Sequence, residues 1–130
     1  MSGDPIVAGT EGSASAELAV DRAGELARAL DVSVHIVTVL AAATDPGVAK
    51  KVVADSRERL ETVGIKVQTH IRPGDPASEL IKVAEAEHAQ MIVLGNRGMT
   101  GGPARRILGS VPNDVSHHAR CAVLIVPTQL

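Results

Sequence analysis

A chain of 130 residues with 45% hydrophobic composition is long enough to close one core without disulfides or metals, and the whole of residues 1–130 reads as a single domain. A formal net charge of −2 excludes the basic footprint expected of a binder of nucleic acid or of an acidic membrane surface. Phe, Tyr and Trp are absent, which removes the stacking platforms of single-strand binders and leaves the core to Val, Ile, Leu, Ala and Met.

In chain order, Pro5-Ile6-Val7-Ala8-Gly9 is an apolar run ended by glycine and predicts a buried first strand. Thr10-Glu11-Gly12-Ser13 is polar and turn-like, with Ser13 placed to cap a helix. That helix is written by Leu18, Ala19, Ala23, Leu26, Ala27 and Leu30 at spacings of three and four, with Glu17, Asp21, Arg22, Glu25 and Arg28 mostly between them. Val32 to Leu40 is β-branched and apolar, a second buried strand. Asp45-Pro46-Gly47 closes a loop, and a helix follows over about Val48 to Val63, with Val52, Leu60 and Val63 on one face and Gly64 as its stop.

Ile65 to Ile71 alternates apolar and polar residues, the pattern of a half-exposed edge strand. Asp75 and Pro76 supply an N-cap and a first helical position for a helix lined by Ala77, Leu80, Ile81 and Ala84. Met91 to Leu94 is a fourth strand. After a Gly-rich loop, Ser110 caps a short helix reaching about Ala119, and Ala122 to Val126 is a fifth strand. Five strands alternating with four helices predict an α/β fold: a parallel sheet covered by helices on both faces. In such sheets ligands sit beyond the carboxyl ends of the strands, where strand order reverses. The Thr10 turn and the loop from Gly95 to Ser110 both fall on that edge.

The second of these loops is the chain's most informative stretch. A strand, a loop carrying Gly95, Gly98, Gly101 and Gly102, and a helix start at Gly109-Ser110 form a physical device for holding phosphate, because small residues admit an anion to backbone N–H groups and to the helix end. It is not a Walker A loop, which needs a lysine before the Ser or Thr, nor a Rossmann fingerprint, which needs its glycines directly after the first strand. Arg97, Arg105 and Arg106 give Gly95 to Ser110 three positive charges and no acid; they would neutralise phosphates or simply be solvated.

These features together resemble the universal stress protein family. The resemblance spans the chain: Ile6-Val7-Ala8-Gly9-Thr10-Glu11-Gly12-Ser13, Gly74-Asp75-Pro76, Val93-Leu94-Gly95, and most specifically Gly109-Ser110-Val111-Pro112-Asn113-Asp114-Val115 through Val123-Leu124-Ile125-Val126-Pro127. It implies a three-layer sandwich of the adenine nucleotide alpha hydrolase-like kind, with a five-stranded parallel sheet in the order 3-2-1-4-5. A nucleotide-binding branch of the family carries G-x2-G-x9-G-[ST] and binds ATP; other members bind no nucleotide. Carried over by position, phosphates would rest on amides around Gly95, Gly98, Met99, Gly109, Ser110 and Val111, with Arg97 beside them. The loop Gly9-Thr10-Glu11 would flank the nucleotide, Val39 would pair the adenine edge through its main chain, and two copies would dimerise through Cys121 to Val126.

Two positions depart from the family pattern. Ten residues, Met99 to Leu108, separate Gly98 from Gly109 where the motif has nine, and Glu11 stands where binding members usually carry Asp. The extra methylene moves the carboxylate by about 1.5 Å. Glu11 is expected at the ribose, directly or through Mg²⁺. The expected ligand is ATP, with cAMP or no nucleotide as the alternatives, and the expected role is that of a stress-response sensor or switch.

Other chemistry is poorly supported by the sequence. Cys121, the single cysteine, opens an apolar run and reads as a small buried hydrophobe. His117 and His118 are adjacent and point about 100° apart on a helix, while His35, His70 and His88 are scattered, so no metal site is expected. Ser13 and Ser110 have no evident His partner, and any ATP hydrolysis would be slow and incidental. Met1-Ser2-Gly3-Asp4 lacks the basic and apolar regions of a signal peptide, and no apolar stretch reaches the ~18 residues of a membrane span, which points to the cytoplasm.

Overall fold

The computed structural model describes residues 3–40, 42, 45–96 and 110–127. Its elements run β1 (Ile6–Gly9), α1 (Ala14–Leu30), β2 (Val34–Leu40), α2 (Pro46–Thr62), β3 (Val67–Pro73), α3 (Pro76–Ala86), β4 (Met91–Gly95), α4 (Ser110–His118) and β5 (Ala122–Val126). The five strands are parallel and ordered β3-β2-β1-β4-β5, as expected.

Alternation along the strands divides the core in two. Ile6, Ala8, Ile36 and Val93 face α1 and α2, joining Ala19, Val20, Ala23, Ala27, Val53 and Leu60. Val7, Val37, Val39, Ile92 and Leu94 face α3 and α4, joining Leu80, Val83, Val111 and Val115. The central strand β1 is buried along its whole length. β3 lies at one edge and is half exposed, as its alternating sequence predicts.

The helix ends follow local chemistry. The Ser13 hydroxyl accepts the Ala16 N–H at 3.2 Å, and the Asp75 carboxylate accepts the Ser78 N–H at 3.0 Å. That bond holds the Asp75 carboxyl below its ordinary pKa. Asp45-Pro46-Gly47 is not a loop: Asp45 accepts the Gly47 N–H at 2.9 Å and α2 begins at Pro46, where a missing N–H costs nothing.

Two apolar stripes also differ from expectation. In α1, Leu18 and Leu30 are exposed, and the small residues Ala16, Ala19, Ala23, Gly24 and Ala27 are buried with Val20 instead. The buried face of α2 is Ala49, Val53, Ser56 and Leu60, leaving Val63 exposed. Small residues win because α1 and α2 pack closely: a Cβ on Gly24 would stand 2.5 Å from Leu60 Cδ2.

Candidate functional site

The candidate site is built where β1 stops between β2 and β4. Gly9 is the last β1 residue, and a Cβ there would come 2.8 Å from Leu94 and 2.9 Å from Leu80, so any side chain must displace both leucines. Thr10 follows, fully buried. Its N–H donates to the Val37 carbonyl at 3.0 Å, its carbonyl accepts the Thr38 hydroxyl, and its own hydroxyl donates to Glu17 Oε2 at 2.7 Å while accepting the Gly12 N–H at 3.0 Å. Every polar group of Thr10 is committed. Gly12 turns the chain at φ +94° and lies against α2, since a Cβ there would meet Val52 Cγ2 at 2.8 Å.

Glu11 is only partly satisfied at this edge. Its Oε1 accepts the Ser13 N–H at 3.2 Å, whereas its Oε2 is buried with no hydrogen-bond partner among the described residues. A buried acceptor left in that state costs about 1–3 kcal/mol, so a hydroxyl or cation brought there would gain more than at an ordinary surface carboxylate. Nearby, the Ser15 hydroxyl is likewise buried without a partner among the described residues. It presses on the end of β4, where a Cβ on Gly95 would stand 2.8 Å from Ser15 Oγ and 3.1 Å from its carbonyl oxygen. Gly95 therefore has a packing reason to be glycine, beside the phosphate role expected of its amide.

Val39 is the second-last residue of β2. The β1–β2 ladder ends at the Gly9–Val37 pair, and the Val37 carbonyl points to β1, where it takes the Thr10 N–H. In a parallel strand, alternate residues turn their peptide groups the same way, so the main chain of Val39 also faces the β1 side, beyond the last β1 residue. Its side chain is buried against α3 and α4. Across the sheet, Ser110 is the exposed first residue of α4, and Val111 buries its side chain against the α3 face, leaving only its main chain for a ligand. Gly9, Thr10, Glu11, Val39 and Gly95 thus share the carboxyl edge. Arg97, Gly98, Met99 and Gly109, also expected there, lie outside the described residues.

One residue at this edge escapes the sequence reading. Glu17 sits in the first turn of α1 among charges that look solvent-facing, yet it reaches back to Thr10 and across to Ser56 and Arg59 of α2. Burial alone would lower the Arg59 pKa, but hydrogen bonds to Glu17 and Asp21 outweigh it and raise it. The signal was present in part: an acid in the first helical turn, seven residues after a threonine that ends a buried strand.

The histidines are less scattered than the sequence suggests. His35 on β2 and His70 on β3 stand 2.8 Å apart, Nδ1 to Nε2. Even so, no group of three or more His, Cys, Asp or Glu among the described residues is arranged to hold a metal ion. Cys121 is half-buried, and burial raises its thiol pKa, which opposes thiolate reactivity. Among the described residues no helix is long and apolar enough to cross a membrane.

Comparison with known proteins places the chain in a family. Residues 3–127 match the universal stress protein family. The curated protein "Universal stress protein Rv1636" of Mycobacterium tuberculosis is 36% identical over 95% of each chain. Among solved structures, a universal stress protein in complex with cAMP superposes with a TM-score of 0.79 at 32% identity over 95% of both chains. The universal stress protein from Archaeoglobus fulgidus in complex with dAMP gives a TM-score of 0.79 at 26% identity, over 96% of this chain and 98% of that one.

Proposed function

This chain belongs to the universal stress protein family, and we propose that it binds an adenine nucleotide at the carboxyl edge of its sheet, as a sensor or switch rather than a catalyst. The observation that carries the reading is the buried Oε2 of Glu11, without a hydrogen-bond partner among the described residues, at the point where strand order reverses. A ribose hydroxyl donates one proton and suits that acceptor; a Mg²⁺ ion would suit it as well. Val39 would read the adenine edge through its main chain. Gly9, Thr10 and Gly95 form the floor, and Ser110 and Val111 offer amides at the start of α4 to phosphate. Arg97, Gly98, Met99 and Gly109 would complete the phosphate cradle.

ATP is the ligand implied by the two glycine halves of the motif. A second reading, cAMP, is favoured by the solved relative that carries it. A single cyclic phosphate also needs fewer donors, so it tolerates the longer Gly98–Gly109 spacer and the longer carboxylate of Glu11. The protein would act as a homodimer through β5. Supporting this, Val123, Leu124 and Ile125 stay half-buried on an edge strand, beside the exposed Leu18.

Calorimetric titration of the nucleotide-stripped protein with ATP, ADP, AMP and cAMP, with and without Mg²⁺, separates these readings. Glu11→Gln is expected to weaken the nucleotide that binds by roughly tenfold, the value of one charge-assisted hydrogen bond. Unchanged affinity in Glu11→Gln would remove that residue from the site, and no heat with any of the four nucleotides would end the proposal.

A further inference from the structure

Glu17 is poised over the loop that the proposed nucleotide site uses, although it does not belong to that loop. Its side chain is 23% exposed, and both carboxylate oxygens are occupied. Oε2 takes the Thr10 hydroxyl at 2.7 Å and shares the hydroxyl of the fully buried Ser56 at 3.1 Å. Oε1 takes the same Ser56 hydroxyl at 3.0 Å and the Arg59 guanidinium at 2.5 Å. Arg59 is fixed in turn by Asp21, at 2.9 Å from Nη2 and 3.2 Å from Nε. Three side chains, Thr10 after β1 and Ser56 and Arg59 of α2, thus meet on one α1 carboxylate.

The direction of these bonds matters more than their number. A threonine hydroxyl has one proton. Thr10 gives it to Glu17, so toward Gly12 N–H it can only accept. That acceptance holds Gly12 at φ +94°, the turn that carries Glu11 back over the sheet edge. With the rotor set by Glu17, the Glu11 carboxylate is delivered to one place. With the rotor free, the Gly12 amide loses a fixed partner and the turn loosens on the side facing the ligand.

We infer that Glu17 is a positioning residue for the adenine-nucleotide site, acting through the Thr10 hydroxyl to fix the Thr10–Ser13 turn and so to aim Glu11. This rests on the nucleotide-binding reading proposed above. Its chemistry requires a carboxylate. A glutamine has one acceptor oxygen and one donor group, so either its NH₂ faces the Arg59 guanidinium or it faces Thr10 and reverses the hydroxyl. The same carboxylate ties the turn to α2, so ligand held at Glu11 and the position of α2 are coupled through it.

The competing explanation is an ion pair that merely joins α1 to α2, and a double-mutant cycle on the full chain distinguishes the two. Wild type, Glu17→Gln, Thr10→Val and the double variant are titrated with ATP and with cAMP, and the Gly12 amide is followed by ¹⁵N-resolved NMR without ligand. Glu17→Gln is expected to weaken binding roughly five- to tenfold, and to add nothing further in the Thr10→Val background. In the free protein, both single variants are expected to displace the Gly12 amide resonance in the same direction. Losses that add across the cycle, or wild-type affinity in Glu17→Gln, overturn the inference. If the wild type binds none of ATP, ADP, AMP and cAMP, the functional reading has failed, and an unmoved Gly12 amide would then refute the positioning claim separately. Should Glu17→Gln not fold, the wild-type spectrum decides: a slowly exchanging Thr10 hydroxyl proton near the Gly12 amide is required, and its absence overturns the inference.

Discussion

The imidazoles of His35 and His70 meet across neighbouring strands, His35 Nδ1 lying 2.8 Å from His70 Nε2. One ring must donate and the other accept, so the bond cannot survive protonation of both rings. Glu87, at the end of α3, stands 3.8 Å from His35 Nε2 and favours the tautomer with its proton there, which leaves Nδ1 to accept from His70. Burial lowers the pKa of both rings. The neighbouring ring and Arg72 depress His70 further, against a smaller opposing pull from Glu87 on each.

A pH dependence follows from those directions. Lowered pKa values mean that the unfolded chain binds protons which the folded chain refuses. Stability is therefore full above about pH 6.5 and declines as pH falls below it, by at most about 1.4 kcal/mol per pH unit for each ring involved. Thermal melts between pH 7.5 and 5 should show this decline. His70→Gln should flatten it, and an unchanged acid slope in that variant would show that the pair is not its source.

Gly95→Ala tests how closely α1 rides on the end of β4. The added methyl would stand 2.8 Å from Ser15 Oγ and 3.1 Å from the Ser15 carbonyl oxygen, and the backbone atom cannot swing aside. The expected cost is about 1–3 kcal/mol, read as a lower urea midpoint with an unchanged m-value. Wild-type stability in this variant would mean that the first turn of α1 yields freely.

Leu80→Ala should rank among the more costly single truncations. Leu80 is fully buried, its methyls fill the space that a side chain on Gly9 would claim, and it lies in the cluster between the sheet and α3. A loss of about 2–5 kcal/mol is expected from transfer and cavity terms together. Urea denaturation measures it, and a loss under about 1 kcal/mol would imply that the two leucines over Gly9 repack.

Ile125→Asp addresses the proposed pairing through β5. A carboxylate placed mid-strand would be desolvated at any interface formed by this edge, so the variant should run as a monomer in light scattering while wild type runs as a dimer. Equal masses for the two would remove β5 from the interface.

Much of the architecture was legible because apolar periodicity encodes it directly. Val32 to Leu40 can hardly be anything but a buried strand, and the alternation after Ile65 marks an edge. Stripes failed where residue size decided. Leu18 and Leu30 fit the helical period, but the approach of α1 to α2 at Gly24 and Leu60 selects alanines for the interface. Asp45-Pro46 reads as part of a loop because the same dipeptide serves loops and helix starts, and only the bond to Gly47 separates them. Glu11, Val39 and Gly95 of the proposed site are singled out by pattern. Glu17 and the His35–His70 pair were missed because their partners, Ser56, Arg59 and the facing strand, are distant in sequence and carry no periodic signature.

The strand order also governs assembly. β2 and β3 follow β1 closely and can pair in the order in which they leave the ribosome, whereas β4, the partner on the other side of β1, lies most of the chain away: Ile6 must wait for Met91. During synthesis, β1 therefore presents an open edge of Ile-Val-Ala-Gly, with unpaired peptide groups and an uncovered apolar flank. The most deeply buried strand of the finished sheet is the most exposed template of the unfinished one. Pulse-labelled hydrogen exchange should show β2 amides protected before those of β4, and simultaneous protection would refute that sequence of events.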